Sequence, residues 1–80
     1  MPEEQLFKLE DQRTRTEIAE ALLDAAEQIE SGSVRLKSET EAQDVTVPEN
    51  ARFETELERL TDSETGEQRY ELEYEIRWTE

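Results

Sequence analysis

The chain has 80 residues, with 23 Asp and Glu against 9 Lys and Arg and a formal net charge of −14. This length allows one small domain, residues 1–80, and excludes a large buried core. The chain lacks cysteine and histidine, which excludes disulfides, thiolate metal sites and histidine-based acid–base chemistry. No apolar run approaches the ~20 residues of a membrane span, and the acidic start Met1–Gln5 does not resemble a signal peptide. We therefore expect a cytoplasmic protein.

The first predicted element is a short strand, Leu6–Glu10. Phe7 and Leu9 lie two residues apart, and this spacing places both side chains on one face of a strand. A polar connector, residues 11–13, follows it.

A helix is predicted from Arg15 to about Ser31. Thr14 and Glu17 have the Thr-x-x-Glu spacing of a capping box, which is typical of a helix start. Gly32 is the expected stop, because glycine readily adopts the positive φ that ends many helices. One face of the helix is apolar and consists of Ile18, Leu22, Ala25 and Ile29, with Ala19 and Ala26 beside them.

After the helix, the apolar spacing changes from about 3.6 to 2 residues, as expected for strands. Val34 and Leu36 alternate with polar neighbours and predict a strand at residues 33–37. Asp44–Val47 predicts a further short strand. Pro48 closes it, because proline lacks the amide donor that a strand interior requires.

Two long strands complete the chain. In the first, Arg52–Thr61, the side chains of Phe53 and Leu57 share a face, whereas Leu60 is out of phase and predicts a bulge or the start of a turn. Residues 62–68 predict a hairpin loop. The closing strand alternates without exception, with one face formed by Tyr70, Leu72, Tyr74, Ile76 and Trp78.

The predicted order is β-α-β-β-β-β, which is an α+β fold. An amphipathic helix and a mainly antiparallel sheet each have one apolar face, so we expect them to pack as two layers. The other sheet face is expected to remain in solvent and carries two rows of glutamates: Glu54, Glu56 and Glu58, and Glu71, Glu73 and Glu75.

The acidity has three candidate explanations: disorder, adaptation to molar salt, and a surface for a basic partner. The regular apolar spacing argues against disorder. Carboxylates occur in the helix, the strands and the loops rather than in one block, which favours salt adaptation. At about 1 M salt the Debye length is only ~3 Å, so repulsion among exposed carboxylates is largely screened.

Several segments taken together resemble the amphi-Trp domain family: Thr14–Ala19, Ile29–Gly32, Val34–Leu36, Val45–Pro48 and the alternating Glu71–Trp78. The resemblance covers nearly the whole chain. It implies a small stand-alone protein of a kind common in salt-loving archaea, and it brings no activity or catalytic residues with it.

The closing strand also supplies the candidate interaction residues, Trp78, Tyr74 and Tyr70. Aromatic side chains of this kind anchor protein partners or stack on bases and sugars. The simpler interpretation is that they belong to the core, because Trp78 continues the apolar stripe of the strand.

Catalytic, metal and cofactor sites are not expected. Glutamates standing side by side on a flat sheet do not converge as a calcium site requires. The loop residues Asp62–Glu67 lack the spacing of a calcium-binding loop. No serine has a histidine to activate it, and no carboxylate is marked out from the others. We therefore expect that the protein is not an enzyme.

The leading functional hypothesis is a small interaction or accessory module. Homodimerisation through a strand edge or an apolar face is its most direct form, because pairing gives a small domain more buried surface. The alternative is an acidic decoy that mimics nucleic acid and binds a basic protein. We expect no membrane or small-molecule partner. Nucleic-acid binding is not expected either, since the arginines of the last two strands have glutamates beside them.

Overall fold

The structure is a computed structural model and describes residues 2–80. It contains one helix and four strands: α1 (Arg15–Ser31), β1 (Ser33–Lys37), β2 (Ala42–Thr46), β3 (Arg52–Thr61) and β4 (Gln68–Arg77). One compact unit lies within Met1–Glu49, and the other is Asn50–Glu80. The α+β class is confirmed.

The strands form two separate antiparallel sheets, β1-β2 and β3-β4, rather than the single sheet expected from the sequence. Each strand pairs with its neighbour in sequence through a short loop, so each ladder is completed locally. Alternating apolar residues identify a strand and its face, but they do not say which other strands lie beside it.

The predicted N-terminal strand Leu6–Glu10 is wrong, because residues 2–14 contain neither helix nor strand. Phe7 is half-buried and Leu9 is exposed. Both line a groove of about 470 Å³ whose other walls include Ala25 and Val34. The apolar residues of this segment therefore lie along the helix and β1 instead of entering a hydrogen-bonded ladder.

The helix begins and ends as its sequence predicts. The Thr14 hydroxyl accepts from the Glu17 amide at 3.1 Å, and the Glu17 carboxylate accepts from the Thr14 amide at 3.0 Å. At the other end Gly32 adopts φ 92°, and its amide donates to the carbonyls of Gln28 and Ile29. These bonds satisfy backbone groups that the helix ends leave without partners.

The helix packs on β1 through its C-terminal half. Ala25 and Ile29 are half-buried, and Val34 is 9% exposed, the one buried hydrophobic residue among residues 2–80. The Gln28 side chain accepts a hydrogen bond from the Arg35 amide at 2.8 Å, which ties the helix to the strand. β1 then pairs with β2, where Arg35 faces Asp44 and the two form an ion pair of 3.1 Å.

The second unit is a long hairpin. β3 and β4 pair without interruption from Arg52 opposite Arg77 to Thr61 opposite Gln68. The bulge or turn start expected at Leu60 is therefore absent, since Leu60 pairs directly with Arg69 inside the ladder. Leu60 instead lies on the glutamate face, where it lines a groove of about 340 Å³ at the loop end.

Candidate interaction surface

The register of β3 and β4 divides the hairpin into two chemically opposite faces. Residues directly opposite in an antiparallel pair project to the same side of the sheet. We define the apolar face by four cross-strand pairs: Phe53 with Ile76, Thr55 with Tyr74, Leu57 with Leu72, and Arg59 with Tyr70. We define the glutamate face by the three pairs Glu54 with Glu75, Glu56 with Glu73, and Glu58 with Glu71.

Most of the apolar face is exposed. Its five large exposed side chains leave between 55% and 69% of their surface uncovered: Phe53, Leu57, Tyr70, Leu72 and Tyr74. At roughly 100–150 Å² of exposed surface for each side chain, the five together expose about 600 Å². This is the upper end of the largest apolar patch on a typical monomer, ~300–600 Å². A contiguous patch of this size is typical of a surface that contacts another molecule.

The two tyrosines predicted from the sequence lie on this face. Tyr74 is 55% exposed and stacks on Phe53, with ring centroids 6.1 Å apart and an interplanar angle of 7°. Tyr70 is 60% exposed, and its hydroxyl donates to the Gln68 side chain at 3.1 Å. Neither tyrosine is buried, so the apolar stripe of β4 forms a surface rather than a core within this unit.

The third candidate, Trp78, lies beyond Arg77, the last residue of β4, and is half-buried. It is therefore less accessible than the two tyrosines. The sequence-based candidates omitted Phe53, Leu57 and Leu72, which belong to the same face. The sequence does contain a signal for Phe53 and Leu57, because their i, i+4 spacing in β3 puts both side chains on one side of the strand.

On the glutamate face, like charges stand directly opposite one another, an arrangement that destabilises a strand pair. The effect on the pKa is seen at Glu56. Hydrogen bonding with the neighbouring Glu58 side chain raises the pKa of the Glu56 carboxyl, and the negative charges of Glu58, Glu54 and Glu73 raise it further. Protonation therefore relieves part of the repulsion on this face.

The arginines of the hairpin do not form a single basic patch. Arg52, Arg69 and Arg77 lie on the glutamate face, with Arg52 and Arg77 at the open end of the hairpin and Arg69 at the loop end. Arg69 contacts Glu71 and Arg77 contacts Glu75, each at 3.7 Å. Arg59 lies on the apolar face. Exposed pairs at this distance contribute little to stability. These ion pairs nevertheless reduce the positive charge with which the hairpin could bind the phosphate backbone of a nucleic acid.

In the loop that joins β3 to β4, the first carboxylate, Asp62, is engaged by backbone amides. One Asp62 carboxylate oxygen accepts from the amides of Glu64 and Thr65 at 2.8 and 3.2 Å. These backbone hydrogen bonds lower the pKa of Asp62. Across the part of the chain that the structure describes, no group of three or more acidic side chains is placed to hold a metal ion.

α1 is the one helix among residues 2–80, and it falls short of the length and apolarity that crossing a membrane would require. The chain has no match among curated proteins or solved structures. The family model described as the Amphi-Trp domain matches residues 1–80. That match covers the helix, both hairpins and the closing tryptophan segment, and it confirms the resemblance read from the sequence. The chain belongs to the Amphi-Trp domain family.

Proposed function

We propose that this domain is a small, salt-adapted interaction or accessory module that binds a protein surface through the apolar face of the β3–β4 hairpin. The observation that supports this most directly is the exposure of Phe53, Leu57 and Leu72 together with both tyrosines on one side of the sheet. An isolated two-stranded hairpin is at best marginally stable in water. A cover on the apolar face would supply the packing that the hairpin lacks.

The interaction is driven by apolar contact rather than by charge. The only ionisable groups in the four pairs of the apolar face are Arg59 and the hydroxyls of the two tyrosines. The acidic groups of the hairpin strands project to the other side. Apolar association of this kind persists as ionic strength rises, because salt screens the repulsion between acidic molecules and leaves apolar contacts intact.

Salt adaptation is supported by the opposed pairs of the glutamate face. At ~0.01 M ionic strength the Debye length is ~30 Å, so neighbouring carboxylates repel along the whole hairpin. At molar salt this repulsion is short-ranged. The proposed working compartment is the cytoplasm.

The acidic decoy is the second candidate. Three consecutive opposed glutamate pairs give a regular row of negative charge on one side of the hairpin. A basic protein bound there would dissociate as salt rises, in contrast to a partner held on the apolar face. The contacts of Arg69 and Arg77 with this row weaken the candidate, since a nucleic-acid mimic gains from uninterrupted negative charge.

Site-specific photo-crosslinking tests the proposal. A benzoylphenylalanine at Tyr74 projects from the apolar face, and one at the adjacent Glu73 projects from the glutamate face. Both proteins are produced in the organism that encodes the chain, irradiated, and the adducts identified by mass spectrometry. A defined protein adduct at position 74 and none at position 73 is expected. Adducts from position 73 alone would favour the decoy, and adducts from neither would refute both.

A further inference from the structure

We propose that the surface covering the apolar face is the same face of a second copy of this chain, so that two β3–β4 hairpins stack face to face as a four-stranded sandwich. This inference rests on the proposed function and names its partner. It requires that the face be large enough, self-complementary, and placed so that the negative charges of the two copies stay apart.

The area is sufficient. Each copy exposes about 600 Å² of large apolar side chains on this face, so stacking two faces buries about 1,200 Å² in total. That is the lower end of the ~1,200–2,000 Å² found in specific, stable interfaces. The exposed aromatics Phe53, Tyr70 and Tyr74 are residue types enriched at interface centres.

The face is also self-complementary. Thr55 and Leu57 lie near its middle, and the one permanent charge, Arg59, lies toward the loop end. A two-fold axis that lies between the sheets and perpendicular to the strands reverses one hairpin relative to the other. Arg59 is three residues from the middle of the face, which is about 10 Å at ~3.4 Å per residue. The two-fold axis therefore puts the two Arg59 residues roughly 20 Å apart along the strands. Apolar residues therefore meet apolar residues, and like charges do not meet.

Stacking also determines where the glutamates go. Packed sheets lie about 10 Å apart, so the two glutamate faces point outward and are separated by roughly 20 Å including their side chains. This exceeds the Debye length of ~8 Å at physiological ionic strength. Pairing through a strand edge would instead place the glutamate rows of both copies on one continuous surface, with adjacent strands about 4.8 Å apart. The charge pattern therefore favours the face over the edge.

The charge of the face also favours a second copy over a basic partner. The chain has a net charge of −14, but its apolar face presents Arg59 and no carboxylate in the four cross-strand pairs. A basic protein would gain nothing there from the acidic character of the chain. A second copy brings an apolar face of matching size, and two-fold pairing of identical surfaces is the commonest arrangement of soluble oligomers.

Single-cysteine variants test the arrangement, since the natural chain has no cysteine. Thr55→Cys places a thiol near the middle of the apolar face, and Glu56→Cys places one at the neighbouring position on the glutamate face. A short bismaleimide should convert Thr55→Cys to a covalent dimer many times faster than Glu56→Cys. Equal rates at the two positions would overturn face-to-face stacking.

Light scattering after size exclusion supplies the second measurement, run on the natural chain across a dilution series from low to molar potassium chloride. A dimer that persists in molar salt is expected, together with its loss in Leu57→Arg and its retention in Leu60→Arg. Leu60 lies on the same strand but on the opposite face. A monomer at every concentration and salt level would overturn the second copy as partner.

The two proposals fail in different ways. A monomer that forms a defined adduct with another protein from position 74 would overturn self-association and support an interaction module with a different partner. A monomer without an adduct at position 74 would overturn both. A dimer whose adduct at position 74 is the chain itself supports both.

Discussion

Replacing Leu57 by alanine distinguishes an open hairpin face from a covered one, and Leu60→Ala is the matched control on the same strand. Leu57 is 69% exposed and Leu60 is 40% exposed. Full burial of the three carbons that alanine lacks contributes about 2.4 kcal/mol. We scale this contribution by the fraction of each side chain that the chain itself covers. Leu57→Ala then costs about 0.7 kcal/mol and Leu60→Ala about 1.4 kcal/mol. In an isolated chain, Leu60→Ala is therefore the more destabilising substitution.

A covered face reverses this order. Covering the remaining surface of Leu57 adds about 1.7 kcal/mol per copy, or about 3.3 kcal/mol for a symmetric dimer. This corresponds to a roughly 200-fold increase in the Kd for dimerisation. Leu60→Ala should leave that Kd close to its natural value, because its side chain lies on the other face.

Analytical ultracentrifugation over a dilution series measures the Kd, and urea unfolding followed by circular dichroism measures the stability of each variant. Both are run in molar potassium chloride, so that repulsion on the glutamate face is screened in all samples. Two results together would refute a covered apolar face: Leu60→Ala is the costlier substitution at every protein concentration, and Leu57→Ala leaves the Kd unchanged.

Three further predictions concern the backbone, pH and salt. Gly32→Ala should lower stability by about 1–2 kcal/mol in a thermal melt, because φ is 92° and an added Cβ meets nothing closer than the Val47 carbonyl at 3.9 Å, which leaves a purely backbone cost. The pKa of the Glu56 carboxyl is raised above its ordinary value. As pH falls through the range just above that ordinary pKa, Glu56 takes up a proton and the hairpin should become more protected from hydrogen exchange, a gain that Glu56→Gln should reduce. The lowered pKa values of Glu17 and Asp62 act in the opposite direction, since their stabilisation is present above their ordinary values and is lost as pH falls further. Far-UV circular dichroism should show loss of helix and sheet signal in salt-free buffer at neutral pH, and a full spectrum there would contradict the salt-adaptation proposal.

The locally determined features of the fold were predictable from the sequence. The helix start depends on two residues three positions apart, Thr14 and Glu17, and both reciprocal hydrogen bonds are present. The helix stop depends on one glycine with positive φ, Gly32. The closing hairpin depends on two alternating segments joined by a short polar loop. Each of these signals lies within a few residues of the structure that it specifies.

Long-range pairing was not predictable in the same way. The segment Leu6–Glu10 alternates as a strand would, but alternation also suits an extended segment that lies along a helix, as Phe7 and Leu9 do. Leu60 predicted a bulge or the start of the turn because it broke the alternation of β3. The ladder is continuous there, and Leu60 is partly covered at the loop end of the glutamate face. A single apolar residue on a polar face does not interrupt a ladder.

The candidate surface was only partly predictable for the same reason. Tyr70 and Tyr74 could be identified from one strand, because β4 alternates throughout. Adding Phe53 and Leu57 to the same surface required the register, which places β3 opposite β4 residue by residue. A shift of one residue would have put these side chains among the glutamates. The register is therefore the property that turns two amphipathic strands into one apolar face.

The properties proposed for the two faces of the hairpin both depend on ionic strength. The opposed glutamate pairs tolerate one another best when salt is abundant, since screening shortens the range of their repulsion. The proposed pairing of two apolar faces is also favoured under those conditions, because the net charge of −14 opposes the approach of a second copy until it is screened. High ionic strength thus favours both the formation of the hairpin and its association. Under the salt-adaptation and pairing proposals, the acidity of the chain couples both folding and association to salt.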